Sequence, residues 1–244
     1  MKPIGLTDIH TLKTAIQYFQ DCYLVSSVGA LAKSPNGRRI LSENISRTQD
    51  GFRVNFKNIN GAEKDFFVSQ KEMDDLVYMD KYYNPVPIDE NLPHNPIIKA
   101  IEAAMNKLLS LYPDKKPRVC RIAKSHEKFE FNKPSNFLEM FTGKKPVVLN
   151  ESELNLSLKS KAKESFELFD KISENPDSSF VFGTSFGFNK KVSNTHCYSV
   201  NRVDKNSNSI ELFDHRRQKT VTLSFEEAIK CIKFIAGYFN KDLI

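Results

Sequence analysis

The sequence predicts an α+β fold, with a helical first part, about Met1 to Thr142, and a more β-rich second part, about Gly143 to Ile244. Two observations carry this. Ile97, Ile101, Ala104, Met105, Leu108 and Leu111 recur at intervals of three and four, the spacing of one apolar helix face. Thr195 to Val203 and Ser209 to Asp214 read instead as strands, in which apolar residues recur with period two. With 244 residues, 40% hydrophobic and 27% charged, the chain is long enough to bury a core without cross-links.

The elements follow in order. Asp21 is placed to cap a helix from Cys22 to about Lys33, whose small and apolar residues Val25, Val28, Gly29 and Ala32 suit tight packing. Ser34-Pro35-Asn36-Gly37 stops it, and a helical stretch follows around Ile40 to Ile45. Gly51 to Phe56 alternates apolar and polar residues, and Asn60-Gly61 turns the chain back into Asp65 to Val68, which makes a hairpin. Prolines from Pro85 to Pro96 break the next stretch into a surface loop, ahead of the Ile97 helix. A short helix, Phe137 to Phe141, closes at Thr142-Gly143, and Gly143 to Pro146 marks the boundary between the two parts. Glu151 to Ile172 reads as helices, Ser178 to Gly183 as a strand, and Phe225 to Ala236 as a final helix capped by Ser224, with Glu226 and Glu227 in its first turn.

Composition narrows the function classes. No segment reaches the roughly 18 uncharged residues of a membrane span, and the first residues lack a secretory signal. The expectation is a chain kept reduced in the cytoplasm, or exported into a host cell by a route without a cleaved signal. The net charge of +6 is spread over interleaved basic and acidic residues, with only a short basic run from Lys115 to Lys124, so no nucleic-acid partner is expected. The four cysteines, Cys22, Cys120, Cys197 and Cys231, are too widely spaced for a zinc knuckle or redox motif.

Cysteine chemistry remains. Cys22 opens a helix, where the partial positive charge of the helix start stabilises a thiolate. His196 and Asp214 lie on the two predicted strands, and a thiol, an imidazole and a carboxylate are the parts of a cysteine nucleophile, its base and the group that orients the base. If His196 faces Asp214, then Tyr198 falls opposite Leu212 and Val200 opposite Ile210, with Asp204, Lys205 and Asn206 as the loop. All six residues then share one face. The other histidines, His10, His94, His126 and His215, read as surface residues. An oxyanion site needs two donors: the Cys22 backbone N–H is one, and the side-chain amide of Gln17 or Gln20 is the other.

These segments together resemble the catalytic core of the calpain-type cysteine proteases in the papain-like group. Asp21-Cys22-Tyr23-Leu24 is similar to that family's nucleophile segment, Asp50 to Phe56 to its hairpin strand, and Ile101 to Leu108 to a helix of its first lobe. Phe141-Thr142-Gly143 resembles the end of that lobe, and His196-Cys197-Tyr198-Ser199-Val200 its His-Ala-Tyr-Ser-Val strand. The resemblance implies a two-lobed fold with the site in the cleft, Cys22 as nucleophile, His196 as base and acid, and a protein or peptide as substrate. Asp214 stands where the family has asparagine, Ile16 where it has the oxyanion glutamine, and His215-Arg216 where it has Pro-Trp. The family's calcium loops find no matching ligands, so no cofactor is expected. Cys-His-Asp sets also occur in glutamine deamidases and transglutaminases, which are the alternative enzymes. A catalytically inactive binding module on a protease scaffold is the alternative of a different class.

Overall fold

The computed structural model describes residues 2–15, 22–76, 95–111, 134–150, 158–185 and 190–243. Its helices are α1 (Leu6–Thr11), α2 (Cys22–Lys33), α3 (Pro35–Asn44), α4 (Gln70–Asp74), α5 (Pro96–Ser110), α6 (Pro134–Thr142), α7 (Leu158–Ser173) and α8 (Phe225–Cys231). Strands β1 (Lys2–Pro3), β2 (Ile45–Arg47), β3 (Gly51–Ile59) and β4 (Ala62–Ser69) form a four-stranded antiparallel sheet in that order. A six-stranded antiparallel sheet combines β5 (Val147–Asn150), β6 (Ser179–Thr184), β7 (Cys197–Asp204), β8 (Ser209–Asp214), β9 (Lys219–Ser224) and β10 (Ile232–Tyr238), in the order β5-β10-β6-β7-β8-β9. The fold is therefore α+β, as the two periodicities predict.

Where local signals are strong, elements form where expected. Asn60 and Gly61 both take positive φ in the β3–β4 turn, the requirement that an Asn-Gly pair meets at least steric cost. Ser34 does more than stop α2. Its side chain accepts from the Gly37 N–H, and Pro35 occupies the first position of α3, so the predicted break is the cap of the next helix. That helix begins at Pro35, five residues before the predicted stretch. The proline-rich loop and the Lys115–Lys124 run lie outside the described residues, apart from Asn95 and Pro96, the latter opening α5.

The last predicted helix needs correction. Ser224 and Glu227 form a capping box, but α8 ends at Cys231, and Ile232 to Tyr238 is a strand between β5 and β6. A short apolar run satisfies either periodicity, and pairing on both edges decides for the strand. Gly237 permits this: a Cβ there would lie 2.0 Å from the Ser179 carbonyl oxygen.

Two cores follow. One collects α1, α2, α3, α5, α6 and the first sheet, and takes in Val181, Cys197, Ala236 and Tyr238 from the second sheet. The other lies on that sheet's opposite face, with Tyr198, Val200, Ile210 and Leu212 packed against α7 and α8. The central helix α2 thus has β6 and β7 on one side and α6 on another. Buried contacts fasten the helices around it to the second sheet: Ser34 Oγ, at the start of α3, lies 2.7 Å from Ser179 Oγ, and Thr142 Oγ1 of α6 lies 2.9 Å from the Tyr238 hydroxyl.

Candidate active site

Cys22 is the first residue of α2, and the rest of that helix to Ala32 is buried. Its N–H groups at this end have no partner within the helix, so partial positive charge faces the half-buried thiol. Tyr23 packs edge-on against Phe137, which fixes the rotation of the first turn.

His196 stands immediately before β7 and is held by its own backbone. Its N–H donates to Thr184 Oγ1 over 3.0 Å, and its carbonyl accepts from the Thr184 N–H over 2.9 Å. Thr195, just before it, takes a left-handed φ of 48°, unusual for a β-branched residue, and so sharply redirects the chain into the strand. The His196 ring meets the buried Tyr198 ring edge-on at 4.8 Å, and the Tyr198 hydroxyl accepts from the Ser193 N–H.

The ring is then shared between two partners. Its Nε2 lies 3.3 Å from Asp214 Oδ1, and the Cys22 thiol is near enough to the same ring to raise its basicity. Because Nε2 is engaged by the carboxylate, Nδ1 is left for sulfur. Asp214 Oδ1 also accepts from the backbone N–H groups of Arg216 and Arg217, each at 3.0 Å, so the carboxylate is fixed before the histidine uses it. Its Oδ2 has no hydrogen-bond partner among the described residues, and the Arg217 guanidinium is 3.9 Å away.

The strand register differs from the sequence expectation. Val200 pairs with Leu212, not Ile210, and a bulge at Asn201 shifts the ladder so that Val203 pairs with Ile210. The connecting turn spans residues 205–208. Near the site the shift is two residues, which preserves the face of every side chain. His196 and Asp214 consequently meet diagonally.

The charges reinforce each other. The Cys22 pKa falls well below the ordinary thiol value, chiefly through a hydrogen bond from the Cys197 thiol, with the His196 hydrogen bond and charge adding to it against the effect of burial. Burial pulls His196 down, but the Asp214 hydrogen bond and the Cys22 thiolate together outweigh it and push the imidazole up to about 9. For Asp214, burial raises the pKa, and the hydrogen bonds from His196 and from the Arg217 and Arg216 N–H groups more than reverse this. The shifts are complementary in direction, and together they favour a thiolate beside an imidazolium beside a carboxylate. Such a set can attack an electrophilic carbon and return a proton to its leaving group.

His215, expected at the surface, is wholly buried. Its Nδ1 donates to the Ala15 carbonyl over 2.7 Å, and its Nε2 lies 2.6 Å from Ser199 Oγ. Burial, aided by the His196 charge, pushes its pKa down to about 4, so the ring is neutral with its proton on Nδ1, and the Ser199 hydroxyl sits between two acceptors, His215 Nε2 and the Ser26 carbonyl. Gly29 makes the room: a Cβ there would lie 2.6 Å from His215 Cε1. His215 therefore ties the segment before Cys22, α2 and β7 together. Two signals in the sequence point to it: a glycine inside a helix, and a serine on the β7 face opposite Tyr198.

Gln17, Gln20 and Asp21 lie outside the described residues, as do His94, His126 and Cys120. Among the described residues, no three His, Cys, Asp or Glu side chains cluster in a way that could hold a metal ion, and no helix is long and apolar enough to cross a membrane. Comparison with protein-family models finds no match, and comparison with curated proteins finds none either.

Proposed function

We propose that this chain is a cysteine peptidase-like enzyme that attacks a carbonyl of a protein or peptide substrate through a thioacyl intermediate on Cys22. The observation that carries the reading is the continuous line of side chains from the Cys22 thiol through the His196 ring to Asp214 Oδ1. The three residues are far apart in sequence; His196 is held by Thr184 of the neighbouring strand and Asp214 by the N–H groups of the turn that follows it. Their chemistry is complementary: the imidazolium favours the thiolate, and the carboxylate favours the imidazolium.

The mechanism follows from these roles. The Cys22 sulfur adds to the carbonyl carbon, and the oxyanion forms near the unpaired N–H groups at the start of α2. His196 gives its proton to the leaving amine as the thioacyl bond forms, and then, as a neutral base, takes a proton from the water that hydrolyses it. Asp214 keeps Nε2 engaged throughout, so Nδ1 alone faces the reaction. The helical, Cys-bearing part and the sheet-rich, His-bearing part accord with the two-lobed papain-like arrangement of calpain-type proteases, with Asp214 in the place of their asparagine.

The test is mass analysis of candidate protein substrates incubated with the wild type and with Cys22→Ala. Fragments formed by the wild type alone support a peptidase. A gain of about one mass unit per site, or an amine adduct, replaces hydrolysis of the chain by glutamine deamidation or transamidation, which uses the same acyl intermediate. If Cys22 alkylates near neutral pH no faster than a simple peptide thiol, the site lacks an activated nucleophile and the scaffold is a binding module.

A further inference from the structure

The residue after the histidine is a second cysteine, and its placement follows from how α2 lies on β7. Side chains alternate along the strand, so Tyr198 and Val200 enter one core while Cys197 enters the other, on the α2 side. Ser199 shares the Cys197 face, and its Oγ lies 2.9 Å from the Ser26 carbonyl oxygen of α2. Further along, Lys33 Nζ donates to the Val200 carbonyl over 3.2 Å, so helix and strand advance in the same direction. Four residues back from Ser26 is about 6 Å along a helix, and two residues back from Ser199 is about 6.7 Å along a strand. Those steps lead to Cys22 and Cys197. Cys22 packs against the buried cluster that holds Cys197, close enough for the two thiols to shift each other's ionisation, with Cys197 buried and Cys22 half-buried.

We propose that Cys22 and Cys197 form a dithiol that responds to hydroperoxides, in which Cys22 is oxidised and Cys197 resolves it as a disulfide. This rests on Cys22 being the activated thiol of the reading above, and not on which carbonyl it attacks. In the first step the Cys22 thiolate attacks the distal oxygen of the peroxide, the O–O bond breaks, and the alcohol or water leaves with a proton, giving a sulfenic acid. In the second, the Cys197 sulfur attacks the Cys22 sulfur, the S–O bond breaks, and hydroxide departs as water with the Cys197 proton. One peroxide is reduced by two electrons, and two thiols become one disulfide. Two equivalents of an external thiol reverse it.

The geometry favours this order of events. Peroxide reaches Cys22, which is partly open, and not Cys197, which is sealed beneath it. Cys197 keeps its proton, because its hydrogen bond to the Cys22 thiolate and its burial both hold its pKa well above the ordinary thiol value. It is therefore silent until sulfenic acid forms beside it. The disulfide removes the nucleophile and protects it from the irreversible sulfinic and sulfonic states.

The experiment treats the reduced full chain with hydrogen peroxide, blocks remaining thiols by alkylation, and maps the peptides by mass spectrometry, with dithiothreitol reduction as the reversal. The expected result is a peptide pair linked through Cys22 and Cys197, about two mass units lighter than the reduced pair, with nearly all Cys22 labelling restored by dithiothreitol. In Cys197→Ala and Cys197→Ser, Cys22 should be trapped by a sulfenic-acid reagent and then pass to sulfinic acid, with roughly a tenth or less of the labelling restored. Rapid Cys22 alkylation in the untreated wild type, without any Cys22–Cys197 link after peroxide, overturns this proposal alone. Slow alkylation overturns the activated thiol and this proposal together.

Discussion

His196 Nε2 and Asp214 Oδ1 lie 3.3 Å apart although the two residues are not opposite each other in the β7–β8 ladder. The pair forms because Asp214 ends its strand and its carboxylate is turned back by the Arg216 and Arg217 N–H groups. The histidine comes to a carboxylate already in place.

Replacing Asp214 separates charge from orientation. The wild-type thiolate–imidazolium pair exists between the lowered Cys22 pKa and the His196 pKa of about 9, so reactivity is lost as pH rises through that upper value and the imidazolium deprotonates. Asp214→Asn keeps an acceptor for the ring and removes the charge that holds the proton. Its alkaline limit should move to lower pH with substantial activity retained near neutrality. Asp214→Ala also frees the ring and should cost about 100-fold or more. Turnover as a function of pH measures the alkaline limit, because the thiolate survives loss of the imidazolium proton, and the pH dependence of Cys22 alkylation measures the acid limit. Unchanged profiles in both variants would remove Asp214 from the site.

Thr184 acts on the histidine from the neighbouring strand. Its hydroxyl accepts the His196 N–H at 3.0 Å and is itself 2.6 Å from the Ser193 carbonyl. Thr184→Val keeps the shape and leaves that N–H unpaired, which costs about 1–3 kcal/mol of stability. It should also lower the turnover rate about 10-fold by loosening the ring, with little effect on substrate KM. Thr184→Ser should restore most of the rate. A rate loss of equal size in Thr184→Ser would point to packing instead of the hydroxyl.

Much of this arrangement is legible in the chain itself. The start of α2 at Cys22, the Asn60-Gly61 hairpin and the β7 and β8 strands rest on caps, turn residues and periodicities that act within a few residues. What escapes depends on distant partners. Val147 to Asn150 is too short to announce a strand and becomes one only on the edge of β10, which itself needs β6. The β7–β8 register departs from the expected one because the turn takes residues 205–208 and a bulge falls at Asn201, and neither leaves a signature in the local pattern. His215 was missed because a histidine among arginines reads as exposed, and only its docking against Gly29 and Ala15 buries it.

That docking makes Gly29 testable by its smallest change. In an ordinary helix interior, replacing glycine by alanine gains about 1 kcal/mol. Here the new methyl would lie 2.6 Å from His215 Cε1 and 2.8 Å from Ser199 Oγ, distances that real Cβ atoms do not tolerate. Gly29→Ala should instead destabilise by about 1–3 kcal/mol. Urea denaturation measures it, and His215→Ala in the same chain should recover part of the loss by clearing the space. A stabilised Gly29→Ala would show that the helix and His215 are not in close contact.

His215 should also set an acid limit on stability. Its folded pKa, near 4, lies below the ordinary histidine value of 6.5, so between the two the unfolded chain binds a proton that the folded chain does not. Stability therefore falls as pH drops from about 6.5 towards 4, by up to about 3 kcal/mol, and this contribution is constant above 6.5. The cause is physical exclusion: the ring is sealed from water, Nδ1 is committed to Ala15, and Nε2 is packed against the Ser199 hydroxyl. His215→Gln retains a donor for Ala15 and cannot titrate. Its stability near neutral pH should be lower than that of the wild type, because an amide fills the site less well, but its decline between pH 6.5 and 4 should be shallower by about the amount given above. Chemical denaturation at a series of pH values reads the two slopes directly. Parallel curves for the two proteins would mean that His215 takes up its proton equally well in both states and is not the sealed imidazole that holds Ala15, Gly29 and Ser199 together.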